Sequence, residues 1–202
     1  MNTAVKPVSA TPRQAESSSE APRSRVYIAL GSNLGDRLGH IARALDAIAE
    51  LPETDLVSVS PVYESEPAYH QRQDTFANAV LEARTALTPD GLLCELQRLE
   101  LEAGRVRTFP NAPRPLDLDI LDYEGVCRDD ESLVLPHPRL PERDFAVTPL
   151  LDIAPSCVLA DGTALTRDFI AYGKVIRRID APTATRPDGA DSTTAPLFPN
   201  LM

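Results

Sequence analysis

From Arg114 to Ile120 the chain runs Arg-Pro-Leu-Asp-Leu-Asp-Ile, an alternation of apolar and acidic residues. A period of two is the signature of a strand with one face buried and the other wet. Leu116, Leu118 and Ile120 are then expected in the core. Asp117 and Asp119 project from the opposite face, with Cα atoms about 6–7 Å apart. Two carboxylates side by side repel unless a cation sits near them. They suit Mg²⁺, which takes few protein carboxylates and completes its shell with water and phosphate oxygens. The competing reading is a solvated strand face that happens to carry two acids.

Other elements fall around this strand. Val26–Leu30 is a short apolar run, consistent with a buried strand, and residues 31–36 carry turn chemistry. Leu38, Ile41, Leu45 and Ile48 recur at helical spacing until Leu51-Pro52 stops them. Residues 55–63 alternate as a strand in which Pro61 marks an edge or a bulge. Residues 76–83 form the next strand. Thr88-Pro89 is an N-cap and N1 pair, opening a helix with Leu92, Leu93, Leu96 and Leu99 inward and ending at Gly104. Residues 115–123 follow as a strand. Shorter helices are expected over 142–151 and 166–172. The order β-α-β-β-α-β predicts a ferredoxin-like α+β fold with a mostly antiparallel sheet and C-terminal additions. Helices are expected on one face, leaving the other for a ligand. Residues 1–23 and 181–202 are poor in apolar side chains and read as disordered tails around a domain at 24–180.

Composition excludes some functions. The formal net charge of −10 argues against a protein that coats nucleic acid. No run of 18 apolar residues exists, so no membrane helix is expected, and the first twenty residues lack the apolar stretch of a secretory signal. Cys94, Cys127 and Cys157 are odd in number and widely spaced, which fits a reduced cytoplasm better than a disulfide framework or a zinc site. A monomer is expected. Among the 20 basic residues only Lys6 and Lys174 are lysines. Genomic base composition can explain that bias, but any anion site here must be built from guanidinium forks, which grip phosphate oxygens two at a time.

Arg98, Arg105, Arg107 and Arg114 crowd just before the two aspartates, and 104–115 has the glycine and prolines of a mobile loop. Cations beside paired carboxylates suit phosphoryl transfer; ion pairs at a helix end are the alternative. Neither a P-loop nor a Rossmann turn is present. His137 sits in a rigid Leu-Pro-His-Pro setting, whereas His40 lies on the first helix and His70 in a polar loop. Phe76 and Asn78 share a strand face and could stack on and bond to a flat heterocycle; core packing is the bland reading of Phe76, Phe145 and Tyr63.

Seven motifs in order carry a resemblance: YIALGSNLGDR at 27–37, SPVYESEP at 60–67, FANAV at 76–80, LQRLELEAGRVR at 96–107, APRPLDLDIL at 112–121, LPHPRL at 135–140 and PLLDIAP at 149–155. The chain resembles the 6-hydroxymethyl-7,8-dihydropterin pyrophosphokinases of folate biosynthesis. The resemblance implies an ATP-dependent enzyme that transfers pyrophosphate from ATP to the hydroxymethyl group of the dihydropterin and releases AMP. It implies that Asp117 and Asp119 hold two Mg²⁺ ions and that Arg105 and Arg114 close over the phosphates. Gln97, Glu100, Arg107, His137 and Arg143 would position ATP. Phe76 and Phe145 would sandwich the pterin, with Asn78, Ser65 and Pro67 lining its pocket. Pro110, Ser132, Val134 and Tyr69 depart from the family pattern, the first two where family members often carry cations. A catalytically weak or inactive paralogue that only binds pterin or nucleotide is therefore the alternative reading. A ferredoxin-like nucleotidyl transferase acting on nucleic acid is a third, disfavoured by the acidic balance and the lack of a basic groove. No room is expected for a fused second enzyme domain.

Overall fold

The structure is a computed structural model describing residues 22–69, 72–106, 109–169 and 172–179. The expected tails lie outside the described residues apart from Pro22 and Arg23, as do His70 and Arg107. Strand β1 (Ser24–Ser32) leads into α1 (Arg37–Ala49), whose first turn is capped by the Asp36 side chain accepting from Gly39 N. Strands β2 (Thr54–Val59) and β3 (Val62–Ser65) follow, then β4 (Phe76–Thr85) and α2 (Pro89–Glu102). The expected Thr88 cap is in place, accepting from Gly91 N. Strand β5 (Asp117–Tyr123) closes the repeat, and β6 (Arg128–Asp129) with β7 (Val134–Leu135) makes a short hairpin. Helix α3 (Asp144–Ile153) and strand β8 (Val175–Ile179) complete the described chain.

The main sheet runs β5-β1-β4-β3-β8, with β2 also on β4, and each pairing is antiparallel. The expected strand over 55–63 is thus two strands on one edge of β4. Pro61 has no N–H to give the ladder. Ser60 bridges the break instead: its backbone N–H donates to Val80 O at 2.9 Å, and its hydroxyl accepts from Val80 N at 2.9 Å.

Two cores lie on opposite faces. Leu118 and Ile120 of β5 join Val26, Ile28 and Leu30 of β1 against Ile41, Ala44 and Ile48 of α1 and Leu92, Leu96 and Leu99 of α2. On the other face, Tyr27, Val80 and Leu121 pack against Leu140, Ala146, Val147 and Leu150. The ligand face is therefore only half free, because α3 covers one end of it. A β-bulge between β1 and β5 lets Leu121 and Asp122 both turn toward that second core. The helix expected over 166–172 is a single 3-10 turn at Arg167–Phe169, since one apolar stripe over seven residues is too short to commit the chain. No helix among the described residues is long and apolar enough to cross a membrane.

Candidate active site

The free half of the sheet face is the floor of an open cleft of about 630 Å³. Its centre is one cross-strand row, Asn78–Gly31–Asp117, fixed by the registers of β4 and β5 on β1. A Cβ on Gly31 would lie 3.3 Å from Asn78 Oδ1, 3.7 Å from Asp117 Cβ and 4.0 Å from Phe76. Glycine there keeps the floor flat, so a planar ligand can approach the backbone. Phe76 lies two residues before Asn78 on the same strand, and Asn78 Nδ2 donates to Ser65 Oγ at 2.8 Å. Arg143 and Phe145, at the start of α3, form the facing wall.

The acid pair emerges as the alternation requires, with Leu116, Leu118 and Ile120 in the core. Both oxygens of Asp117 are engaged: Arg105 Nη1 donates to Oδ1 at 2.6 Å and Arg114 Nη2 to Oδ2 at 2.5 Å. Asp119 Oδ2 accepts from Arg143 Nη1 at 3.4 Å. Enclosure in the cleft, reinforced by the charge of Asp117, raises the Asp119 carboxyl above the ordinary aspartate range. Two acids that draw three guanidiniums form a site that demands cations, and that donor set fits Mg²⁺ presented with phosphates.

Arg143 is buried and sits at a junction. Its Nη1 lies 3.3 Å from His137 Nε2, and its Cζ lies 5.5 Å from the Phe145 ring. The other His137 nitrogen, Nδ1, accepts from Arg139 N at 3.2 Å. Burial first, then the charges of Arg143 and Arg139, push the His137 imidazole down to about 4. An unfolded histidine takes up a proton near pH 6.5, which the folded ring refuses until about pH 4. The contribution of His137 to stability is thus present above pH 6.5 and lost as the pH falls from there toward 4. His137→Gln is expected to flatten this part of the profile, measured as wild-type minus variant unfolding free energy across pH 4 to 7.

The remaining expected residues divide. Phe76, Asn78, Ser65, Phe145, Arg114, Arg143, Asp117 and Asp119 line the cleft together. Pro67 is buried between Glu66 and Ala68, which line it. Gln97 and Glu100 do not reach the cleft; with Leu101 and Arg105 they line a separate recess. Glu100 accepts from Leu118 N at 2.8 Å and pairs with Arg105. Arg98 is spent on Glu95 and Glu102 along the exposed side of α2. Arg107 lies outside the described residues.

Asn33 received no role from the sequence, although it sits inside the first motif. It is buried and braces both flanking loops: Nδ2 donates to Gln73 Oε1 at 3.0 Å, and Oδ1 accepts from Arg114 N at 2.8 Å. Asn33→Ala is expected to cost about 2 kcal/mol in urea unfolding, because it strands a backbone N–H. Glu64 is a second brace. The Thr75 hydroxyl, Arg177 and Arg37 together hold its carboxyl down at about 2. Neither brace was legible, because each joins residues from three or four separate segments.

The family described as 7,8-dihydro-6-hydroxymethylpterin-pyrophosphokinase (HPPK) matches residues 27–155, a stretch that contains every expected site residue. The chain is 48% identical over 141 residues to a Pseudomonas aeruginosa 2-amino-4-hydroxy-6-hydroxymethyldihydropteridine pyrophosphokinase, covering 70% of this chain and 87% of that one. A Haemophilus influenzae protein of the same name is 44% identical over 140 residues, covering 69% and 88%. The folic acid synthesis protein fol1 of Pneumocystis carinii is 45% identical over 129 residues, 64% of this chain, but the chain spans only 17% of its length. Among solved structures, one titled as an HPPK-DHPS crystal structure in complex with substrates aligns with a TM-score of 0.50 at 14% identity, covering 66% of this chain and 40% of that one. That likeness is one of fold. Since the matched stretch is the one that builds the floor, the acid pair and both aromatic walls, the chain belongs to the 7,8-dihydro-6-hydroxymethylpterin-pyrophosphokinase family.

Proposed function

We propose that this chain transfers the pyrophosphoryl group of ATP to the hydroxymethyl oxygen of 6-hydroxymethyl-7,8-dihydropterin, and that the cleft between β5 and α3 is where it does so. The hydroxyl oxygen forms a bond to the β-phosphorus, the bond from that phosphorus to the α,β-bridging oxygen breaks, and AMP departs while the hydroxyl proton is lost to solvent. The observation that carries this reading is the single row Asn78–Gly31–Asp117, which sets an amide edge and a phosphate-side acid beside one flat floor. Phe76 and Phe145 hold the pterin ring, Asn78 and Ser65 meet its polar edge, and Pro67 shapes the loop beside it. Arg143, supported by neutral His137, holds the triphosphate, and Gln97 and Arg107 serve the nucleotide from the α2 side. Glu100 acts through Arg105 and the backbone of β5.

Asp117 and Asp119 would hold two Mg²⁺ ions, which when bound neutralise the triphosphate. Arg105 and Arg114, the two guanidiniums on Asp117, would turn their charge to the phosphate oxygens. Positioning and electrostatic stabilisation carry most of the rate in such a reaction. The names of the relatives favour this active reading over a module that only binds its ligands. We also take the chain to act as a monomer in the cytoplasm, so light scattering should return the chain mass of 22.0 kDa. The test of function is a reaction of the full chain with ATP, Mg²⁺ and the hydroxymethyldihydropterin. AMP and a pterin diphosphate are expected; ADP with a monophosphorylated pterin would overturn the assignment.

A further inference from the structure

The stretch matched by the family ends at residue 155, but the support of the cleft's α3 wall extends beyond it. Residues 172–175 return to its α3 wall and are laced into it. Asp144 N donates to Tyr172 O at 3.0 Å, and Tyr172 N donates to Glu142 O at 3.0 Å. Val175 N donates to the buried Asp144 carboxylate at 2.8 Å, and Glu66 N donates to Lys174 O at 2.9 Å. Gly173, at φ +62°, lies flat against Phe145, and any Cβ there would overlap that ring.

Tyr172 meets Tyr69, in the loop after β3, with ring centroids 5.4 Å apart and planes tilted by 36°. Tyr69 in turn touches the arginines of the α3 wall. Arg143 Nε donates to its hydroxyl at 3.3 Å, and the Arg139 and Arg143 guanidinium carbons lie 5.0 and 5.8 Å from its ring centroid. Tyr69 also lines the cleft directly. A single aromatic pair thus joins the loop after β3 to the strap before β8, and its neighbours are the ring and the guanidinium that face the ligand.

We propose that Tyr69 and Tyr172 form a clasp beside the pterin half of the cleft, and that residues 172–175 fix where Phe145 stands. Both tyrosines are positioning residues, and the flat heterocycle they serve is the one named under the proposed function, on which this inference rests. An aromatic pair of this kind is worth about 0.5–1.5 kcal/mol beyond its buried area, roughly two- to twelvefold in an equilibrium.

The test is steady-state AMP release by the full chain, varying each substrate in turn, with thermal melts as a check on folding. Tyr172→Ala is expected to raise the KM for pterin roughly three- to tenfold and to leave the KM for ATP within about twofold. Tyr172→Phe, which keeps the ring, should restore the wild-type KM for pterin. Gly173→Ala attacks the same wall from the Phe145 side and should raise the KM for pterin as well. Should Tyr172→Ala lose its melt, Tyr172→Leu keeps the bulk without the ring and carries the same expectation. An unchanged KM for pterin in Tyr172→Ala, or equal rises for both substrates, would overturn the clasp while the activity stands. A wild-type chain that releases no AMP would instead overturn the proposed function, and the clasp with it.

Discussion

Asp117→Ala is expected to lower kcat by about a thousandfold or more while the chain keeps its fold. The size of the effect follows from where the carboxylate stands. It is half-buried, accepts from two guanidiniums, and has Asp119 as its neighbour on the same strand face. In such a site each charge counts for far more than it does in water. Deleting Asp117 removes half of the acid pair that would receive magnesium, and it leaves Arg105 and Arg114 without the anion that offsets their repulsion. Folding should suffer less, by about 1–2 kcal/mol, since Arg105 keeps Glu100 as a partner. Single-turnover release of AMP at saturating ATP and pterin gives the first number, and a urea melt gives the second. A variant within tenfold of the wild-type rate would remove Asp117 from the chemistry altogether.

The second large effect belongs to Glu100, and it is one of stability first. This carboxylate on α2 is buried, accepts from Leu118 N at 2.8 Å and pairs with Arg105. Its burial raises its pKa, against the pull of the Leu118 amide and the Arg105 charge. Glu100→Ala leaves a buried amide with no acceptor between the two aspartates and strips one partner from Arg105. The expected cost is about 3 kcal/mol, combining a lost acceptor with a broken, largely buried charge pair. Glu100→Gln keeps an oxygen for Leu118 N and gives up only the charge, so its cost should be nearer 1 kcal/mol. Equal losses in the two variants would mean that the hydrogen bond to β5 contributes nothing. The rate should fall in both, because Leu118 lies between Asp117 and Asp119 on the strand.

The division between what the sequence made legible and what it hid follows the range of the interactions. The Leu-Asp-Leu-Asp alternation settles its own faces within five residues, and the Thr88-Pro89 start of α2 is equally local. The shared face of Phe76 and Asn78 is local too, since both lie on one strand and line the cleft. The family resemblance implies Glu100 beside ATP. Its carboxylate actually points at β5, a fact of helix-to-sheet packing that no local pattern encodes. Strand β8 was folded into the expected end of the domain without being seen, because Val62 and Ile179 become neighbours only once β3 has paired with β4. The helix expected over 142–151 is present as α3, but the face it covers depends on long-range packing for the same reason.

The Asn78–Gly31–Asp117 row fixes a length across the floor of the cleft. Those three residues belong to adjacent strands, so the span from the amide to the acid is two interstrand spacings, about 9.5 Å. That length is a property of the backbone ladder and owes nothing to the loops around it. The gauge between the amide and the acid is therefore set by the sheet, whatever positions the arginines and the tyrosine pair adopt beside it.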